Sequence, residues 1–393
     1  MVIELTLSLL FLLLPVAFYT GWLSGRKNNA ARREKKLFEI PPDYLKGLNY
    51  LLNEQPDKAI ELFIQMLEVD SETVETHLAL GSLFRRRGEV DRAIRIHQNL
   101  IARPSLTQSQ RTQALYELGE DYMRAGLLDR AEALFRELIE ASPHSEVALR
   151  QLIDIYQQEK DWAKAIEMAR LLSMKTGDNM QSIISQYYCE MAETAFHLGE
   201  IGAGHKWLKR ALASDRNCVR ASLLEGQSEQ RNGNDKAALK AYLRIEQQDT
   251  DYLPEVVTPL IECYRTLGKM NEAKEYLIHL IKEYGSITIM LKLAELIRSD
   301  DGDEAAIDFI TEHLRLRPSV RGMDRLINLN LAHVKDSVRD KLLVLKEVTT
   351  QLLVNKPVYK CRSCGFSGKS MHWQCPGCRQ WNSVKPIQGV EGE

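Results

Sequence analysis

Near the N-terminus the chain carries a continuous apolar run. The segment 5-LTLSLLFLLLPVAFYTGWL-23 has no charged residue, and a helix of this length would span about 28 Å, close to the hydrocarbon thickness of a bilayer. Pro15 is tolerated in membrane helices, and Tyr19 and Trp22 lie where interfacial aromatic residues are common. The pattern predicts an uncleaved transmembrane anchor within residues 1–25. A cleaved signal peptide is the alternative, but no basic residue precedes the run and no small-residue cleavage site follows it.

The flanks of the apolar run predict its orientation. Six Lys or Arg residues lie between Arg26 and Lys36, and none precedes the run. The positive-inside rule then places the rest of a single-pass membrane protein in the cytoplasm. We expect residues 26–43 to form a basic linker beside the membrane.

Over residues 44–355 the pattern changes to a repeat of about 34 residues. A small residue, an aromatic residue, a glycine and an alanine recur, as at Gly81, Phe84, Gly88 and Ala93. The successive turn positions are Glu54, Gly88, Gly126, Lys160, Gly199, Gly233 and Gly268, with a weaker unit turning at Gly302. This is the tetratricopeptide (TPR) pattern, and it predicts an all-α superhelical solenoid that binds other proteins.

The aromatic and cysteine side chains inside the repeats are expected to have mainly structural roles. Four aromatic residues should pack between helices, with groove lining as the alternative: Trp162, Trp207, Tyr116 and Tyr242. Three cysteines isolated in helical sequence should be reduced core or surface thiols: Cys189, Cys218 and Cys263.

The remaining cysteines are clustered near the C-terminus. Their pattern is Cys361-x2-Cys364-x10-Cys375-x2-Cys378, and two such knuckles can form a tetrahedral four-thiolate cage for zinc or a single iron. A reducing cytoplasm disfavours disulfides, and a thioredoxin-like redox motif would need a βαβ context. A closed cage leaves no open coordination position, so we expect a structural metal.

The metal is expected to hold a small module at residues 356–386, followed by a tail at 387–393. About thirty residues are too few to fold on their own core, and metal binding supplies the missing stability. The apolar face of the module should comprise Tyr359, Phe366, Trp373 and Trp381. We expect this face to pack on the last helices, around residues 338–355.

The charge distribution and the motifs exclude several classes of protein. The net charge is −2, and removing the 12 basic and 4 acidic residues of the two ends leaves 40 basic and 50 acidic residues over 37–355. A uniformly basic nucleic-acid binder is therefore disfavoured, although an acidic middle can also be an ordinary solvated surface. Six Lys or Arg residues lie between Lys356 and Lys385, but a dication with four thiolates adds about −2 there. For these reasons we expect no nucleic-acid partner. We also expect no enzyme activity, since the sequence has no Walker loop, GxSxG or HExxH motif.

The cysteine knuckles CRSCGF and CPGC resemble those of rubredoxins, in which CxxCG and CPxC bind one iron. Rubredoxins usually carry a glycine after the last cysteine, where this chain has Arg379, and their two knuckles lie farther apart in sequence. CPGCRQWNS is also similar to the zinc finger of the RadA recombination protein. A redox module with iron is thus a disfavoured alternative, and the choice between iron and zinc stays open.

The order of anchor, TPR array and rubredoxin-like module resembles the lipopolysaccharide assembly protein B (LapB) family of Gram-negative bacteria. The resemblance implies an inner-membrane adaptor that restrains lipopolysaccharide (LPS) synthesis by promoting FtsH-dependent proteolysis of the deacetylase LpxC. It also implies that the chain gathers LPS-synthesis enzymes, is opposed by the membrane protein PbgA/YejM, and binds its metal through the four clustered cysteines. It permits a homo-oligomer. The alternative is a general TPR scaffold for envelope enzymes with no proteolytic role.

Overall fold

The computed structural model describes residues 42–53, 55, 58–60, 62–63, 74–141, 145–354, 356–390 and 392. The predicted anchor at residues 1–25 lies outside this part of the chain. Among the described residues, no helix has both the length and the apolar character needed to span a bilayer. The chain divides into two compact units, residues 1–151 and 152–393.

The described residues of the first unit form α-helices that pack side by side. They are α1 (Pro42–Leu52), α2 (Val74–Arg87), α3 (Val90–Ile101), α4 (Gln108–Ala125), α5 (Leu128–Ala141) and the first half of α6 (Ser145–Glu159). Helices α2 and α3, and likewise α4 and α5, form adjacent pairs. Buried apolar residues of successive pairs share one core, which includes Phe63, Leu80 and Phe84.

The second unit continues the helical pairs and ends in a small sheet. Its further helices are α7 (Trp162–Thr176), α8 (Gln181–His197), α9 (Ile201–Ser214), α10 (Val219–Arg231), α11 (Asp235–Leu243), α12 (Ile245–Gln248), a 3-10 turn (Thr250–Tyr252), α13 (Leu253–Thr266), α14 (Met270–Tyr284), α15 (Ile287–Asp301), α16 (Asp303–Leu316), α17 (Val320–Asn330) and α18 (Asp336–Val354). The strands are β1 (Tyr359–Cys361), β2 (Ser367–Gly368) and β3 (Val384–Pro386). The all-α TPR solenoid with a rubredoxin-like module, predicted from the sequence, is confirmed for these residues.

The turns between the two helices of a pair share one backbone conformation. Six of the predicted turn positions have φ between 58° and 89°: Gly88, Gly126, Lys160, Gly199, Gly233 and Gly268. After each of them, the next amide donates to the carbonyl five residues back, as Glu89 does to Phe84 over 2.9 Å. This bond satisfies a carbonyl that the helix end would leave unpaired. Lys160 adopts φ 58° although a side chain is disfavoured there, so the fold demands the conformation whichever residue is present. The weaker turn at Gly302 has φ 92° and ψ 178°, a different conformation.

The small residue of each first helix allows the second helix to approach closely. At Gly119 in α4, an added Cβ would lie 2.7 Å from Cε1 of Phe135, whose side chain is fully buried in α5. Such a separation is far below van der Waals contact, and the buried ring has no free space to move into.

We therefore expect Gly119→Ala to lower the free energy of unfolding by about 1–3 kcal/mol, the usual cost of overpacking a core. The change should appear as a lower urea midpoint. Gly202→Ala in α9 is the matched control, because nothing lies within 4 Å of its added Cβ and alanine favours a helix. Equal midpoints for wild type and Gly119→Ala would contradict close packing at this position.

Most of the aromatic residues in the repeats pack as predicted. Tyr242 is fully buried, and Trp207 stacks on Tyr188 with ring centroids 5.9 Å apart. Trp162 stacks on Tyr187, but it also contacts Trp381 of the C-terminal module, so it does more than pack between helices.

The cysteines in the repeats are buried, as the core-thiol interpretation predicted. Cys189 and Cys218 are isolated in the sequence but not in the fold, because their sulfurs lie 3.7 Å apart. Residues 29 positions apart meet here because equivalent helices of successive repeats pack against each other.

Candidate metal centre and its docking face

The C-terminal module is built on a three-stranded antiparallel sheet. The strand order is β2-β1-β3, and Cys361 at the end of β1 pairs with Val384 of β3. Val384 is fully buried, and Tyr359 and Phe366 contribute to the same small core as the cysteines. The sheet therefore fixes the first cysteine, and the two connecting loops bring the others to it.

The two cysteine pairs form loops with matching backbone bonds. The amide of Cys361 donates to Phe366 over 2.7 Å, and the amide of Cys375 donates to Gln380 over 2.9 Å. In each loop the residue after the second cysteine also donates back to the first cysteine and adopts positive φ, namely Gly365 (79°) and Arg379 (57°). Arg379, which replaces the rubredoxin glycine, thus keeps the glycine conformation, and the sequence departure does not change the loop.

The structure brings all four predicted cysteines together. Their sulfurs lie within 4.8 Å of one another, with Cys361 to Cys378 at 3.8 Å and Cys364 to Cys375 at 3.6 Å. A tetrahedral ion with metal–sulfur bonds of about 2.3 Å requires sulfur separations of about 3.8 Å. The arrangement therefore fits one four-coordinate metal ion, with no further protein ligand required.

Hydrogen-bond donors around the sulfur of Cys361 favour its thiolate form. The hydroxyl of Ser383 lies 3.4 Å from the sulfur of Cys361, and the amide of Ser363 donates to the same sulfur over 3.4 Å. Burial opposes ionisation, but these donors and the amide of Cys364 outweigh it and lower the pKa of Cys361 to about 6. Thiolates are the ligands that zinc and iron need, so the surroundings suit a metal.

Family models match both parts of the chain. A model described as a rubredoxin metal binding domain matches residues 359–386, and tetratricopeptide repeat models match 76–109, 122–187 and 189–252. Lipopolysaccharide assembly protein B of Escherichia coli K12 is 40% identical over 388 residues, which cover 98% of this chain and all of that protein. The chain belongs to the lipopolysaccharide assembly protein B family.

Two further similarities were found. The protein of the same name from Haemophilus influenzae is 34% identical over 395 residues, covering 98% of this chain and 99% of that protein. A solved TPR-repeat structure from Cytophaga hutchinsonii is 13% identical, has a TM-score of 0.39, and covers 68% of this chain and 98% of that chain.

In this LapB-family chain the metal module does not stand alone but contacts a face of the solenoid. We call this the docking face; it comprises Gln157, Trp162, Tyr187, Arg220, Asp249, Asp251, Tyr252 and Glu255. These residues come from α6, α7, α8, α10, the 3-10 turn and its preceding residue, and α13. One module thus connects several successive repeats.

Two tryptophans of the module provide its apolar contacts. Trp381 meets Trp162 and Tyr187 edge-on, with ring centroids 6.2 and 5.9 Å apart, and its indole N–H donates to Gln157 over 2.8 Å. Trp373 stacks on Tyr252 at 5.3 Å. Aromatic pairs of this kind contribute about 0.5–1.5 kcal/mol each beyond the area they bury.

Arg220 lies between the two tryptophan contacts. Its guanidinium is 5.8 Å from the ring centroids of both Trp373 and Trp381. It also pairs with Glu190 at 2.7 Å and Glu193 at 2.9 Å, and its side chain is only 3% exposed. A single buried cation therefore connects α8, α10 and the module.

Charged groups surround these rings with complementary signs. Arg362 of the module pairs with Asp251 at 2.6 Å, and Lys385 pairs with Asp249. The hydroxyl of Tyr359 donates to Glu255 over 2.5 Å. The basic module thus meets an acidic part of the solenoid, which orients it on the docking face.

The expected packing of the module on residues 338–355 is wrong for its tryptophans, which contact helices much earlier in the chain. Near α18 the structure has a smaller contact, in which Lys369 donates to the carbonyl of Val354 over 2.8 Å. The hydrogen bonds between the module and the docking face join residues 104 to 224 positions apart. A periodic sequence pattern cannot predict contacts over such separations. The available signals were the acidic run 249-DTDY-252 and an arginine inside an otherwise apolar helix start.

Proposed function

We propose that this chain is an inner-membrane adaptor that restrains LPS synthesis. In this proposal it promotes FtsH-dependent proteolysis of LpxC, assembles LPS-synthesis proteins at the membrane, and is opposed by PbgA/YejM. The observation that carries the proposal is the full-length relationship, at 40% identity, to a protein named for lipopolysaccharide assembly. The role is that of a binding protein, not of an enzyme.

The architecture supports a role in binding. TPR helices present side chains from successive repeats on one extended face, which suits contact with a protein surface. In the second unit the metal module already occupies part of such a face, since Gln157, Tyr187 and Arg220 lie on successive first helices. The module therefore belongs to the binding surface of that unit, and a partner there would meet module and helices together.

The apolar segment at residues 5–23 supports membrane attachment. An anchor confines the chain to the surface where FtsH and the LPS-synthesis enzymes are found, and confinement raises the effective concentration of each partner for the others. Modest contacts then suffice to bring a client to a protease. The bulk of the chain faces the cytoplasm in this proposal, following the basic residues after the segment.

Cross-linking in membranes tests the proposal. A photoreactive residue replaces Arg124, which is exposed on the first helix α4, in the full-length chain. A matched control carries the same residue at Arg95, exposed on the second helix α3. We expect capture of both LpxC and FtsH from position 124 and little from position 95. Deleting residues 1–25 should abolish capture of FtsH.

The result separates the adaptor from the scaffold alternative. Capture of LPS-synthesis enzymes from either position, with neither FtsH nor LpxC among them, would contradict the adaptor and favour a general scaffold. Equal capture of FtsH without residues 1–25 would contradict the proposed role of the anchor.

A further inference from the structure

A pair of cysteines outside the metal site meets within the solenoid. Cys189 lies in α8, and Cys218 is the N-cap residue of α10. Their sulfurs are 3.7 Å apart, and the two side chains are 0% and 2% exposed. A disulfide needs about 2.05 Å, so the sulfurs would have to approach by about 1.7 Å. Cys263, also buried, has the carboxylates of Asp235 and Glu262 as neighbours instead of a sulfur.

The surroundings favour ionisation of Cys218 over ionisation of Cys189. The two thiols are in hydrogen-bonding contact, and this contact lowers the pKa of Cys218 to about 7 in spite of burial. The amide of Gln186 also donates to the Cys218 sulfur, over 3.7 Å. Burial, together with the same contact, raises the pKa of Cys189 well above its usual range. Thiol–disulfide exchange needs such a thiolate beside a second thiol that can resolve the first product.

The pair lies next to the buried cation that holds the metal module. Arg220 follows Cys218 by two residues in the first turn of α10. Its partner Glu190 follows Cys189 directly in α8. We expect the shorter sulfur separation of a disulfide to shift these neighbouring residues, and with them the guanidinium beside the tryptophans.

We propose that Cys189 and Cys218 form a reversible disulfide by exchange with a low-molecular-weight disulfide, and that this bond loosens the metal module from the docking face. In the first step the Cys218 thiolate attacks one sulfur of the reagent, the reagent's S–S bond breaks, and one thiolate leaves. In the second step the Cys189 sulfur attacks the Cys218 sulfur, and the second reagent thiolate leaves with the proton of Cys189. Two protein thiols are oxidised, and one reagent disulfide is reduced to two thiols.

The experiment uses the full-length, metal-loaded chain and oxidised glutathione as the probe. Free thiols are alkylated at intervals, and disulfide-linked peptides are identified by mass spectrometry. Metal content and tryptophan fluorescence are followed in parallel. We expect the Cys189–Cys218 linkage to appear before the metal is lost, together with a red shift of tryptophan emission as Trp373 and Trp381 leave the docking face. Dithiothreitol should reverse both changes.

Three variants distinguish this pair from the metal cysteines. Cys189→Ser and Cys189→Ala should stop at the mixed disulfide on Cys218 and lose the red shift. Two substitutions of Cys189 are used so that, if circular dichroism shows that one of them disturbs folding, the other still provides the test. Cys263→Ser should behave as wild type. Oxidation of the metal cysteines while Cys189 and Cys218 stay reduced would overturn the proposal, and so would a complete Cys189–Cys218 linkage with unchanged tryptophan emission.

Discussion

Replacing Cys375 with serine is expected to remove the metal and unfold the C-terminal module. The side chain of Cys375 is 1% exposed and faces the sulfur of Cys364 at 3.6 Å, so a serine leaves three thiolates around a gap. The module has only a small core of its own, centred on Tyr359 and Val384. Structural zinc contributes about 10–16 kcal/mol to small domains of this kind, more than such a core can replace.

The measurement is metal content by atomic emission together with tryptophan emission. Metal should fall from one equivalent per chain to near zero, and the emission should shift to the red as Trp373 and Trp381 become solvated. Cys263→Ser is the matched control, because it removes a buried thiol that lies outside the cluster of four. Full metal content in Cys375→Ser would contradict a four-thiolate site.

Replacing Arg220 with alanine is expected to detach an intact module from the docking face. The substitution leaves Glu190 and Glu193 without their shared cation and removes the contact with both tryptophans. Removing one partner of a buried ion pair costs about 3–5 kcal/mol. Because the two carboxylates keep 26% and 33% exposure, we expect about 3 kcal/mol, seen as a lower urea midpoint and faster proteolysis of the module.

Arg244→Ala in α11–α12 is the matched control for this prediction. Arg244 pairs with Glu225 at 2.9 Å, but both side chains are about 30% exposed, and such pairs contribute at most about 1 kcal/mol. Arg220→Lys should not restore stability, because a compact ammonium lacks the planar, forked guanidinium that pairs with two carboxylates beside two rings. Equal midpoints for the Arg220 and Arg244 variants would show that the module docks without the buried cation.

Local features of this fold could be predicted from the sequence because they depend on residues close to each other. The turn at Lys160 was placed correctly by its spacing alone, since the helix end requires left-handed backbone there whichever residue is present. The metal cysteines could be predicted for the same reason: each pair closes a tight loop, as Cys361 and Cys364 do, and such loops have a fixed spacing.

Contacts between distant repeats could not be predicted in this way. The packing of Trp381 on Trp162 joins residues 219 positions apart, and neither residue shows in the sequence which partner it will meet. For the same reason, the sequence does not predict that Cys189 lies beside Cys218, because this contact depends on how α8 and α10 pack. The tryptophans of the module predict that it packs against another part of the chain. The place where it packs depends on side chains that several repeats bring together, and these can be identified only in the folded structure.

The half-life of LpxC in cells is the most direct test of the central claim. It should be measured after protein synthesis is stopped, in cells depleted of this chain and in cells that carry the wild-type chain. Rapid loss of LpxC with the chain and slow loss without it is the result that an adaptor for proteolysis predicts. The same half-life in both would contradict that role.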